Sequence, residues 1–161
     1  MNTPSSVRSR LRFDNLEHEV TPDGSGIVSV RLEWGGQTFE GSVPCLETLQ
    51  GVIKAASQAT LTATLASARK PASNAIKLDV VGVKAVRAFD GWVVVTRING
   101  TSGEERLRLL GAAPCEAEDD LPNAAVKAVL NASNRVMEQQ IARETNGNGN
   151  GHGPAYSSPR S

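Results

Sequence analysis

Gly41-Ser42-Val43-Pro44-Cys45 returns 70 positions later as Gly111-Ala112-Ala113-Pro114-Cys115, and the stretch behind each copy returns with it. Ala55-Ala56-x-x-Ala59-x-Leu61-x-Ala63 recurs as Ala124-Ala125-x-x-Ala128-x-Leu130-x-Ala132. The chain reads as a tandem duplication. A duplicated unit with no catalytic signature in either copy points to a pseudo-symmetric binding or assembly module rather than to an enzyme.

Upstream of the first copy, Leu11 to Val20 reads as a strand, and Thr21-Pro22-Asp23-Gly24-Ser25-Gly26 as a turn. In Ile27 to Trp34, Val28, Val30, Leu32 and Trp34 alternate with Ser29, Arg31 and Glu33, the period of a half-buried antiparallel strand. Gly35-Gly36 is a hairpin signal, and Gln37 to Val43 carries Phe39, Gly41 and Val43 on one face. From Pro44 and Leu46-Glu47-Thr48-Leu49 a helix is expected to run toward Ala68, with Arg69, Lys70 and Pro71 at its end. Unit one, residues 11–70, is therefore βββα.

Unit two, residues 76–143, repeats the order. Ile76 to Arg87 is a strand, Asp90-Gly91 a turn, and Trp92 to Ile98 the second strand. Asn99-Gly100-Thr101-Ser102-Gly103 reads as a longer hairpin loop, and Glu104 to Ala113 as the third strand, with Leu107 and Leu109 inward and Arg106 and Arg108 outward. A closing helix is expected from Asp120-Leu121-Pro122 to about Ala142. The fold class is α+β, two tandem βββα repeats forming an antiparallel sheet with the helices on one face. Residues 1–10 and the Asn/Gly-rich 144–161 cannot bury enough apolar surface to offset their ordering entropy and are expected to be disordered. One peculiarity stands out: Ala55 to Ala68 carries no charge, which suits either close contact on more than one side, with a neighbouring helix or a second subunit, or an Ala/Thr/Ser face that is soluble without charges.

Composition narrows the function. The 161 residues carry zero net charge with both signs scattered, which calls for no polyanion partner. Aromatic content of 4% removes the stacking surface used by single-strand nucleic-acid binders. No apolar run has the length of a signal or spanning segment, so the expectation is a cytoplasmic protein with no membrane partner. In that compartment Cys45 and Cys115 are expected as free thiols.

The chain resembles the C-terminal regulatory and dimerisation domain of the 2-isopropylmalate synthase family, built from two βββα units. Leu78-x-x-Val81-x-Val83, the Gly111 that closes the third strand, and Ala125-x-x-Ala128-x-Leu130-Asn131-Ala132-x-Asn134-Arg135 carry the likeness, over roughly residues 10 to 140. The resemblance implies this fold and a homodimer, with amino-acid binding by analogy. It does not extend to the family's catalytic barrel.

Cys45 and Cys115 each follow a Pro at a strand-to-helix junction, where backbone N–H groups favour anions. Two readings follow: the turns only close the fold, or they hold a small carboxylate or zwitterionic ligand near Ser42, Cys45, Ala113 and Cys115, across a dimer interface in one version. Two Cys and two His fall short of a four-ligand zinc site, so neither metal nor cofactor is expected. Glu116, Glu118, Asp119 and Asp120 read as a helix-start acidic run, and Asp23-Gly24-Ser25-Gly26, followed by a strand, as a plain turn. His18 lies between Glu17 and Glu19 on a strand, so it should face one side and the glutamates the other. The function expected is a non-catalytic regulatory or assembly module. One alternative is a longin- or roadblock-like scaffold for a protein partner, which does not require Leu11 to Val20 as a sheet strand. A nucleic-acid binder, the second, requires Arg31, Arg97, Arg106 and Arg108 to cluster.

Overall fold

The computed structural model describes residues 10–68 and 76–149. Strands β1 (Arg12–Val20), β2 (Gly26–Trp34) and β3 (Gln37–Cys45) precede α1 (Leu49–Ala66); β4 (Ile76–Ala88), β5 (Gly91–Ser102) and β6 (Glu105–Cys115) precede a short 3-10 turn and α2 (Leu121–Gly149). The order is βββα twice. The Arg69–Pro71 segment expected to end the first helix, and the expected disorder of residues 1–9 and 150–161, lie outside the described residues.

The strands do not form the one sheet expected from the sequence. They form two three-stranded antiparallel sheets, ordered β1-β2-β3 and β4-β5-β6. Among the described residues no strand of one sheet pairs with a strand of the other, and each unit's helix also reaches the first strand of the other unit. Besides packing on β2 and β3, α1 packs on β4; α2 packs on β5 and β6 and touches β1; the helices pack on each other. Gln50 of α1 donates to the Val83 carbonyl of β4 at 3.1 Å, and Asn134 of α2 donates to the Leu11 carbonyl at 3.5 Å. The larger of two core clusters runs through both units, from Val28, Val30 and Leu32 to Val94, Leu121 and Ala125, and a smaller one gathers Leu61, Ile98, Val129 and Ala132.

Register makes the duplication exact in places where composition cannot. Cys45 pairs with Gly26, and Cys115 with Trp92. Val28, Val30 and Leu32 thus match Val94, Thr96 and Ile98, and all six are fully buried. Even the bulge recurs, between Phe13 and Asn15 in β1 and between Val80 and Gly82 in β4. Each third strand touches its helix through a glycine. A Cβ at Gly41 would collide with the Ala59 carbonyl, and one at Gly111 with the Ala128 carbonyl. The repeated glycines and alanines are where helix backbone lies against strand.

The uncharged stretch of α1 that follows Lys54 has an internal explanation. Val52, Ile53, Ala55, Ala56, Ser57, Ala59, Thr60, Leu61, Ala63 and Thr64 are buried, because the neighbours of α1 are two sheets and α2. Its hydroxyls are satisfied on the helix's own backbone: Ser57 donates to the Ile53 carbonyl, Thr60 to Ala56 and Thr64 to Thr60, at 2.7–2.9 Å. Thr48 caps the start, accepting from the Gly51 N–H at 2.9 Å.

Three local expectations are corrected. Asn99–Ser102 is strand rather than loop, because β4, β5 and β6 run to 13, 12 and 11 residues against 9 in each strand of unit one. The β4–β5 turn is Phe89-Asp90, both with positive φ (54° and 60°), and Gly91 already pairs with Ala88. Finally, α2 continues to Gly149, past the expected Ala142 and into the first part of the Asn/Gly stretch.

Candidate functional site

At the end of β3 the two copies of the repeated turn share a backbone plan and differ in side chains. In unit one, Cys45 lies on the helix-facing side with Val43 and Gly41, two and four residues before it. His18 of β1 pairs with Val28, which pairs with Val43, so the imidazole occupies the same face. Glu17 and Glu19 take the other face. The connector into α1 then brings Glu47 back over both. His18 Nε2 is 2.7 Å from Glu47 Oε2, and the Cys45 thiol donates to the same oxygen at 3.4 Å. The three ligating atoms lie within 4.8 Å of one another.

Gly26 makes the cluster possible. It is the register partner of Cys45, and a Cβ there would overlap the Glu47 carboxylate and stand 3.0 Å from Cys45 Sγ. Burial pushes the Cys45 thiol above its ordinary value, with the hydrogen bond to Glu47 and that carboxylate's charge adding to it. The hydrogen bond with His18 holds the Glu47 carboxyl below its ordinary value. The arrangement keeps the thiol protonated beside an ionised carboxylate. A nucleophilic cysteine needs the opposite.

Unit two has the thiol alone. Its counterparts of His18 and Glu47 are Ala85 and Ala117, and its counterpart of Gly26 is Trp92, which packs against the core. Cys115 donates to the Ala117 carbonyl at 3.4 Å, and burial and then the Asp120 charge raise its pKa. The Arg87 guanidinium sits over the Trp92 ring, 5.1 Å from its centroid.

The four residues expected to share a ligand are placed on different surfaces. Ser42 faces away from the helices, its hydroxyl 2.8 Å from that of Ser29, while Cys45 faces toward them. Ala113 and Cys115 belong to the other sheet, where Ala113 is buried beside Val94. Both cysteines are free thiols. The sequence reading missed Glu47 and Gly26. A Cys-x-Glu spacing after a strand was the available signal, but only the β1-β2-β3 register shows that His18 lies beside it.

The outer faces of the two sheets also differ. On the first, Arg31 is held by Glu40 at 2.8 Å, Ser29 meets Ser42, and Glu17, Glu19 and Glu33 point outward. Val86, Val93 and Pro114 form one row across the second sheet, Lys84, Val95 and Ala112 the next, and Arg97 and Leu110 a third. Leu110 is 71% exposed and Val86 43%. Of the arginines raised for a basic face, Arg97, Arg106 and Arg108 share this surface, and Arg31 is on the other sheet.

Fold and site together define a tandem βββα module of the α+β class. No family model matches the chain, and no curated protein matches it. Among the described residues, no helix is long and apolar enough to cross a membrane.

Proposed function

We propose that the protein is a non-catalytic assembly module that forms a homodimer through the outer face of its second sheet. The observation that carries this reading is the apolar character of that face. An antiparallel sheet with one face on the core normally offers polar residues to water, as the first sheet does apart from the Ile27 and Pro44 pair. Val86, Val93, Val95, Leu110, Ala112 and Pro114 depart from that rule together, and a contiguous exposed apolar patch marks an interaction surface. A second copy is the occupant we favour because a pleated sheet face is readily self-complementary about a twofold axis, and twofold dimers are the commonest assemblies. A dimer is also what the resemblance to the 2-isopropylmalate synthase regulatory domain implies. The uncharged stretch of α1 after Lys54 is not needed as an interface, since the monomer buries most of it.

Multi-angle light scattering across a concentration series tests the reading. The wild type is expected as a dimer, and Leu110→Glu is expected to weaken self-association at least tenfold, about 1.4 kcal/mol. A wild type that stays monomeric at high concentration contradicts it.

A second reading has one observation behind it. Lys77, Lys84, Arg97, Arg106 and Arg108 are all exposed on the same outer face, which would suit a nucleic-acid backbone. It expects salt-dependent retardation of DNA or RNA that Arg106→Ala and Arg108→Ala weaken. The apolar rows at the other end of the face favour the dimer.

A further inference from the structure

We infer that His18, Cys45 and Glu47 form a binding site for one divalent transition-metal ion of the zinc type, independent of the dimer face. The three donors are a thiol sulfur, an imidazole nitrogen and a carboxylate oxygen, the set that borderline ions such as Zn(II) and Co(II) prefer over magnesium or calcium. With bonds of about 2.0–2.3 Å, tetrahedral ligand atoms stand roughly 3.2–3.7 Å apart. The Cys45–Glu47 separation of 3.4 Å is already in that range, and the His18–Glu47 pair at 2.7 Å must open by about half an ångström as the ion replaces their hydrogen bond.

Two further features distinguish this trio from a chance cluster. Its members come from β1, β3 and the β3–α1 connector, and Gly26 leaves the volume that the Glu47 carboxylate fills. The duplicate turn, with the same backbone plan, has Ala85, Ala117 and Trp92 at the matching positions and holds no such set. Cys45 is buried, whereas the side chains of His18 and Glu47 keep 31% and 27% of their exposure. The ion therefore enters from the His18 and Glu47 side, and its fourth position faces solvent, where a water or a donor from a ligand completes the coordination. On binding, the Cys45 thiol releases its proton to solvent and the sulfur donates as thiolate.

The test is titration of the metal-free full-length protein, under reducing conditions, with Co(II) and then Zn(II). One Co(II) per chain is expected, with a thiolate-to-cobalt charge-transfer band and the visible bands of a tetrahedral ion, both bleached by Zn(II). Cys45→Ser should remove the charge-transfer band, and His18→Gln and Glu47→Gln should each weaken binding at least tenfold while leaving the circular dichroism spectrum unchanged. Cys115→Ser should bind as the wild type does. Wild-type protein that takes up no cobalt at micromolar concentration overturns the site, as does a charge-transfer band lost in Cys115→Ser and kept in Cys45→Ser. Should Cys45→Ser not fold, the His18→Gln and Glu47→Gln affinities decide: wild-type affinity in both overturns it.

Discussion

The two units of this chain keep the same backbone and have exchanged the chemistry on it. Gly41 and Gly111 make the same strand-to-helix contact, the bulge recurs in β1 and β4, and both third strands end in Pro-Cys. Around that frame unit one has gathered His18, Glu47 and the open volume of Gly26, with a polar outer sheet face. Unit two has filled the same volume with Trp92 and put apolar side chains outside. Positions that set helix-to-sheet distance cannot change without moving backbone, whereas side chains at the sheet's end and outer face are free to diverge. The duplication thus preserves packing, and on the two proposals made above it separates roles: ion binding in unit one, association in unit two.

The shared frame is the most sensitive part of the comparison. Gly41→Ala and Gly111→Ala are each expected to destabilise the protein by about 3 kcal/mol or more, because the new methyl meets a helix carbonyl rather than a movable side chain. Chemical denaturation measures both. Unequal costs, with one substitution nearly neutral, would break the equivalence of the units. A smaller effect of opposite sign is expected at the β4–β5 turn, which has no tight counterpart in unit one. Phe89 holds φ of 54° and is 96% exposed, so Phe89→Asn relieves strain without losing packing and should stabilise by about 1 kcal/mol. A lower melting temperature for that variant would show that the phenyl ring has a partner.

The smallest effect belongs to the corresponding turn of unit one. Asp23 accepts from the Thr21 hydroxyl and from the Ser25 hydroxyl and N–H, and these bonds hold its carboxyl down to about 2 from an ordinary 3.8. The folded value is below the unfolded one, so the stabilisation is present above the unfolded value and lost as pH falls through about 2. Melting temperatures of wild type and Asp23→Asn should differ slightly and constantly above about pH 5 and converge near pH 2. A gap that persists at pH 2 would assign the effect to something other than ionisation.

Much of this fold can be read from the residues, and the reasons it stops are physical. Alternation in Val28 to Trp34 reports a sheet face directly, because burial on one side repeats every second residue. The Ala-rich repeats report close helix contact for the same kind of reason. Whether six strands make one sheet or two is decided by pairing between distant segments, which alternation along a single strand does not report. The β4–β5 turn reads one residue late in the sequence, at Asp90-Gly91 instead of Phe89-Asp90, because an aromatic residue is not expected in the left-handed region. The His18, Cys45 and Glu47 cluster was hidden by topology: 29 positions separate His18 from Glu47, and two hairpin registers bring them together. Counting Cys and His alone leaves out the carboxylate.

The separation of roles between the units is tested most directly by native mass spectrometry of the full chain with one equivalent of Zn(II) per chain. Wild-type protein should appear as a dimer carrying two ions, Leu110→Glu as a monomer carrying one, and Glu47→Gln as a dimer carrying none. Loss of the ion with Leu110→Glu, or of the dimer with Glu47→Gln, would contradict it.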